Sequence, residues 1–177
     1  MIRKIVLSND PILRRQAKPV SKIDKKVKDL IKDLKDTLAV QKNPEGVGLA
    51  APQIGKGLRV FLAKDRDFER VIINPEILEI QKITKKNKVD RRKKEILEGC
   101  LSIPFYYGPL ERSPKVTVRY LSESGRSLTE TFEGFRAQII LHEIDHLEGV
   151  LFVDHIISEG KSLYKVEGDE WEEVELI

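Results

Sequence analysis

A chain of 177 residues is long enough for one domain with a real core and too short for two comfortable ones. Charged residues make up 34% and hydrophobic ones 40%, and no apolar run approaches the roughly 18 residues that a membrane span requires, so a soluble chain is expected. A lone cysteine excludes an intramolecular disulfide framework and suits a reducing compartment; the start carries no small-residue cleavage site, so a cytoplasmic location is the default.

Asp10-Pro11 opens a turn into an irregular segment that Lys18-Pro19-Val20 closes. From Ser21 or Asp24 to about Val40, Val27, Leu30, Ile31, Leu34 and Leu38 recur at helical spacing, which predicts an amphipathic helix ended by Asn43-Pro44. The run from Gly46 to Gly55 is neither a normal helix nor a normal strand. It permits close backbone approach and leaves Gln53 room to project a neutral amide, but it lacks the Gly-Lys-Ser/Thr ending of a phosphate loop.

Residues 58–63 and 70–73 read as strands, Asn74-Pro75 as a break, and 77–83 as a further β segment. Residues 82–94 hold eight Lys or Arg against one Asp, which predicts an exposed loop or hairpin tip. Cys100 follows a glycine and precedes an apolar-polar alternation that Pro104 ends. Val116, Val118 and Tyr120 alternate on a strand, Ser124-Gly125 turns, and 128–132 returns antiparallel.

Gly134 leads into a helix that carries His142-Glu143-Ile144-Asp145-His146. Two histidines one turn apart share a face and can hold one metal ion, with a carboxylate beside it placed to take a proton from water. Phe135, Gln138 and Ile139 fall on the same stripe as His142 and His146, while Ala137, Ile140, Leu141, Ile144 and Leu147 cover other faces, as on a central helix. Gly149 stops it, 150–153 is expected to be extended, and His155 is expected on a strand edge or loop. Residues 167–177 hold six acids and no base, so 158–177 is expected to be an acidic tail, a weak β segment or a loose end, and 1–157 the catalytic domain.

Three segments, Gly46-Val47-Gly48-Leu49-Ala50-Ala51-Pro52-Gln53, Glu98-Gly99-Cys100-Leu101-Ser102 and His142-Glu143-Ile144-Asp145-His146, together resemble the motifs of the peptide deformylase family, in the family's order. The resemblance spans roughly residues 5 to 157. It implies an α+β fold, with antiparallel β-sheets wrapped around a central metal-binding helix, and removal of the formyl group from formylmethionyl nascent peptides. It makes Cys100, His142 and His146 the ligands of one divalent ion, Fe2+ in function with Zn2+, Ni2+ or Co2+ as substitutes. Glu143 becomes the proton carrier, and the Gln53 amide and the Leu101 backbone N–H the oxyanion donors. Gly46, Val47, Gly48, Leu101, Phe135 and Ile139 match the wall of the methionine pocket, and Glu98 and Arg112 a structural ion pair.

The chain departs from that pattern at Phe105-Tyr106-Tyr107-Gly108-Pro109, at Gln138, which would add a polar group to the pocket wall, and in its long basic run. That run raises a ribosomal RNA contact; neither a membrane nor DNA is expected as a partner. The rival readings are a zinc metallopeptidase sharing H-E-x-x-H and a non-catalytic metal-binding protein. Cys100 speaks against the first, and the want of a matching fourth ligand against the second.

Overall fold

The computed structural model describes residues 1–82 and 97–174. Its first helix, α1, runs Lys25–Ala39 and starts where the Asp24 carboxylate accepts the Val27 N–H at 3.1 Å. The apolar stripe read from its spacing is the buried one: Val27, Leu30, Ile31, Leu34 and Leu38.

That stripe packs on a five-stranded antiparallel sheet of order β1-β2-β3-β6-β7, built from β1 (Gly48–Ala50), β2 (Val60–Asp65), β3 (Phe68–Ile80), β6 (Lys115–Leu121) and β7 (Ser127–Glu133). The motif-bearing helix α2 (Phe135–Glu148) covers the opposite face. Strand β2 shows why: Val60 and Leu62 join the cluster under α1, whereas Phe61 and Ala63 join the cluster under α2. A strand buried on both faces reads as continuously apolar, as residues 60–63 do.

A second antiparallel sheet has the order β4-β5-β8-β9, from β4 (Leu97–Cys100), β5 (Ile103–Pro109), β8 (Leu163–Glu167) and β9 (Glu170–Val174). Helix α3 (Phe152–Ser158) packs beneath it through Phe152 and Ile156, which cluster with Cys100, Leu110 and Leu163. Architecture and class are the expected α+β arrangement, with α2 central. No helix among the described residues is long and apolar enough to cross a membrane.

Four local expectations are corrected. Asn74-Pro75 does not break the chain: β3 continues through it with a register shift. Asn74 takes φ 50° and its amide exchanges two 2.8 Å hydrogen bonds with the Val20 backbone, which replaces the lost strand partner. Pro104 lies inside β5 rather than at its end, because the shift between Gly99↔Tyr107 and Cys100↔Ile103 leaves it outside the ladder. Residues 152 and 153 open a helix instead of an extended return, since Asp154 accepts the Leu151 N–H and nucleates the turn. His155 therefore sits on α3. Of the alternatives expected for the acidic tail, the β segment is the one formed: it contributes to the β8–β9 hairpin, turning at Gly168 and joined to β5. The basic run lies outside the described residues apart from Lys82.

Candidate metal centre and active site

Helix α2 begins at Gly134 and ends at Gly149, both at positive φ, so its length is set by two residues tolerant of that geometry. Its burial on nearly all sides holds Glu143 at 2% and His146 at 1% exposure. Strand β4 brings Cys100 to the same place, with Sγ 3.2 Å from His146 Nε2. Ligand atoms of Cys100, His142 and His146 all lie within 4.8 Å of one another. Bonds of about 2.0 to 2.3 Å from N and S to one ion suit such a spacing.

The donor chemistry fits as well. Burial opposes ionisation of the Cys100 thiol, yet the histidines beside it hold its pKa well below the ordinary value, favouring the thiolate that binds metals. His142 Nδ1 stands 2.7 Å from Glu98 Oε1, and a carboxylate can only accept, so Nδ1–H donates, which leaves Nε2 as the nitrogen that would meet a metal. Three candidate ligands beside an open cavity match the pattern of a catalytic rather than a closed structural site.

Glu98 anchors this arrangement. It is 5% exposed and accepts from Arg112 Nε at 2.7 Å, Arg112 Nη2 at 2.6 Å, Gln138 Nε2 at 3.2 Å and His142. Burial disfavours its charge, but the hydrogen bonds of Arg112 and His142 outweigh burial and hold the carboxyl well below the usual range. Arg112 reaches on to Asp145 at 2.8 Å, which also accepts from His155 Nε2 at 2.8 Å. The Glu98–Arg112 pair thus ties β4 to the helix as well as to the segment after β5. Gln138 spends its amide on Glu98 while lining the cavity.

A cavity of about 190 Å³ opens beside the cluster. Gly46, Val47, Gly48, Gln53, Leu101, Phe135, Gln138, Ile139, His142 and Glu143 all line it; His146 and Arg112 do not, Arg112 being paired with Glu98, which does. Gln53 is 1% exposed; its Oε1 accepts the Ala50 N–H at 2.8 Å, which turns Nε2 toward Cys100 Sγ at 3.5 Å and Ser102 Oγ at 3.2 Å. Burial pushes the Glu143 carboxyl up to about 7, with the nearby histidines opposing. Its Oε2 has no hydrogen-bond partner among the described residues. A carboxylate titrating near neutrality, with one oxygen uncommitted, suits proton transfer.

The small residues of the 46–55 run have a steric reason. A Cβ at Gly48 would stand 2.1 Å from Glu143 Oε1, so the carboxylate occupies the space a side chain would fill. Gly48→Ala is expected to displace Glu143 and lower kcat about 100-fold, and a kcat within about twofold of wild type would show that the carboxylate has room to spare.

Sequence reasoning assigned no role to Ser102, which holds the Gln53 amide, or to Asp145, which links Arg112 to His155. The acid inside H-E-x-D-H was the available signal for Asp145. Tyr106 and Tyr107, seen only as departures from a pattern, also line the cavity.

Fold and site together fit a metal-dependent hydrolase in which Cys100, His142 and His146 could hold one ion. The polypeptide deformylase family model matches residues 2–162. A peptide deformylase of Pseudothermotoga lettingae is 45% identical over 159 residues, covering 89% of this chain and 85% of that protein. The crystal structure of peptide deformylase from Thermotoga maritima superposes with a TM-score of 0.74 at 38% identity, covering 87% of this chain and 97% of that one. One from Legionella pneumophila gives 0.74 at 42% identity, with coverage of 87% and 85%. The chain belongs to the polypeptide deformylase family, and is a metal-dependent hydrolase that removes the formyl group from the N-terminus of nascent peptides.

Proposed function

We propose that deformylation takes place at the Cys100–His142–His146 centre, with Glu143 moving the proton. The observation that carries this reading is the meeting of three ligand atoms within 4.8 Å, beside a buried glutamate with a free oxygen, in one cavity. A divalent ion held there supplies a Lewis acid and brings water within reach of ionisation near neutral pH.

The chain's own residues do the rest. Glu143 takes a proton from the attacking water and delivers it to the departing amine as the C–N bond breaks, so that formate and a free N-terminus leave. Oxygen charge that develops on the formyl group is met by the Gln53 amide and the Leu101 backbone N–H. Of the two contacts of Gln53 Nε2, the 3.5 Å one to sulfur is the weaker, and that hydrogen is the one to be redirected. Gln53→Ala is expected to lower kcat by about 100- to 1000-fold with KM less affected; a kcat near wild type would remove Gln53 from the oxyanion site. Gly46, Val47, Gly48, Leu101, Phe135 and Ile139 wall the slot for the methionine side chain, an apolar fit for a thioether.

Iron(II) is the working ion in this reading, although zinc binds such ligand sets more tightly. Formate release from formyl-Met-Ala-Ser under anaerobic Fe2+, with Glu143→Ala as control, tests it. Release that depends on Glu143 is expected, and no release from folded, iron-loaded protein would defeat the assignment. Action in the cytoplasm, on chains emerging from the ribosome, accords with the lone thiol. A ribosomal RNA contact through residues 82–94 is tested by deleting them: salt-sensitive ribosome binding should weaken.

A further inference from the structure

The family match ends at residue 162, whereas the chain continues into the β8–β9 hairpin. That hairpin is anchored on the active-site wall: β8 pairs with β5 at Tyr106↔Lys165 and Tyr107↔Tyr164. It places Trp171, 52% exposed, against Tyr107, with ring centroids 5.6 Å apart. Tyr107 in turn lies against Gly99, one residue from Cys100. A Cβ at Gly99 would fall 2.6 Å from two carbons of that ring, so the strand backbone itself is the seat of the tyrosine.

Beside this pair, β5 bulges. Four steps of β5, from Ile103 to Tyr107, face a single step of β4, and within them Phe105 takes φ 71° and remains 59% exposed. A phenylalanine in the left-handed region is strained, and an exposed one returns little burial in exchange. Bulges beside active sites commonly re-aim a side chain. Phe105 and Tyr107 both line the cavity that holds Glu143 and His142.

We propose that Phe105, Tyr107 and Trp171 form an aromatic platform at the cavity mouth that selects an apolar, preferably aromatic, side chain on one of the two residues following the formylmethionine. The proposal rests on the deformylase reading above. The occupant follows from continuity: Phe105 and Tyr107 belong to the same wall as the catalytic cavity, so a peptide leaving the methionine slot past β5 meets the exposed ring of Phe105 and the half-buried ring of Tyr107, with the exposed Trp171 against the latter. Aromatic faces recognise other rings by edge or offset contact, and apolar side chains by area.

The test compares kcat and KM for formyl-Met-Ala-Ala, formyl-Met-Phe-Ala and formyl-Met-Ala-Phe in wild type, Trp171→Ala, Trp171→Phe and Phe105→Ala. Wild type should favour one phenylalanine peptide by about three- to tenfold in kcat/KM, expressed in KM. Trp171→Ala and Phe105→Ala should bring that ratio to about one, while Trp171→Phe retains most of it. Equal rates on all three peptides in wild type, or an unchanged ratio in both alanine variants, would overturn the proposal. An equal loss on every peptide would also overturn it, because the rings would then only brace β5. So would a concentration-dependent dimer that Trp171→Ala dissolves with the peptide ratio intact, which would give the patch to a second copy. Failure of iron-loaded wild type on all three peptides would instead be a failure of the deformylase reading, since the platform governs only their ratio.

Discussion

Replacing Glu143 by glutamine is expected to lower kcat on formyl-Met-Ala-Ser by about 100- to 10,000-fold, the usual range for loss of a positioned proton carrier. Glutamine keeps the size of the side chain, which matters in a position 2% exposed and packed against Gly48. What it loses is the ability to take up and release a proton. Burial has raised the Glu143 carboxyl to about 7, so the native group can do both near neutral pH. Metal content and KM should stay near wild type, because Glu143 is outside the Cys100–His142–His146 set. Steady-state kinetics with metal analysis of the same samples checks this, and a loss below about tenfold would exclude Glu143 as the proton carrier.

Removal of Glu98 should have the largest effect on stability. Glu98→Ala leaves Arg112, 8% exposed, without its two-point partner, and breaking a buried ion pair in this way typically costs about 3 to 5 kcal/mol. Asp145 still accepts from Arg112, which places the expected loss toward the lower end. His142 would also lose the acceptor that orients its ring, a change worth about 10- to 100-fold in metal affinity. Denaturant midpoints and chelator competition measure the two effects separately. Wild-type values in both would show that Glu98 is dispensable.

The same residue sets a pH dependence. Its folded pKa lies below the ordinary value of 4.5, so the unfolded chain binds the extra proton first as pH falls. The stability Glu98 contributes is therefore fully present above about pH 4.5 and is lost progressively on acidification toward the folded pKa. The gap in denaturant midpoint between wild type and Glu98→Gln should narrow as pH is lowered through that window. A gap independent of pH would contradict the depressed pKa.

Much of the site was legible because its residues come in short local patterns. His142, Glu143 and His146 share a helical stripe by arithmetic alone, and the apolar residues between them announced a buried helix. The glycines at 46 and 48 pointed to close approach. What approaches Gly48 proved to be Glu143, from an element about a hundred residues away, and no spacing rule reaches that far. Asn74-Pro75 and Pro104 misled for a related reason. Each removes a local strand partner, as turn residues do, and only a distant contact or a register shift supplies the replacement.

The sequence by itself offered the paired histidines with a glutamate beside them and the amphipathic face of α1, since these follow from residue identity and short-range periodicity, while the α+β class and the place of Cys100 came from the resemblance of three motifs to a family. Tertiary structure decided the rest. It placed β4 so that Cys100 meets the histidines, turned the Gln53 amide toward the thiol, and gave Glu98 three donor residues, Arg112, Gln138 and His142, in place of Arg112 alone. It also made the acidic tail a hairpin that sets Trp171 against the active-site wall. These depend on long-range strand pairing and on burial, whose energies belong to the assembled fold and not to any one segment.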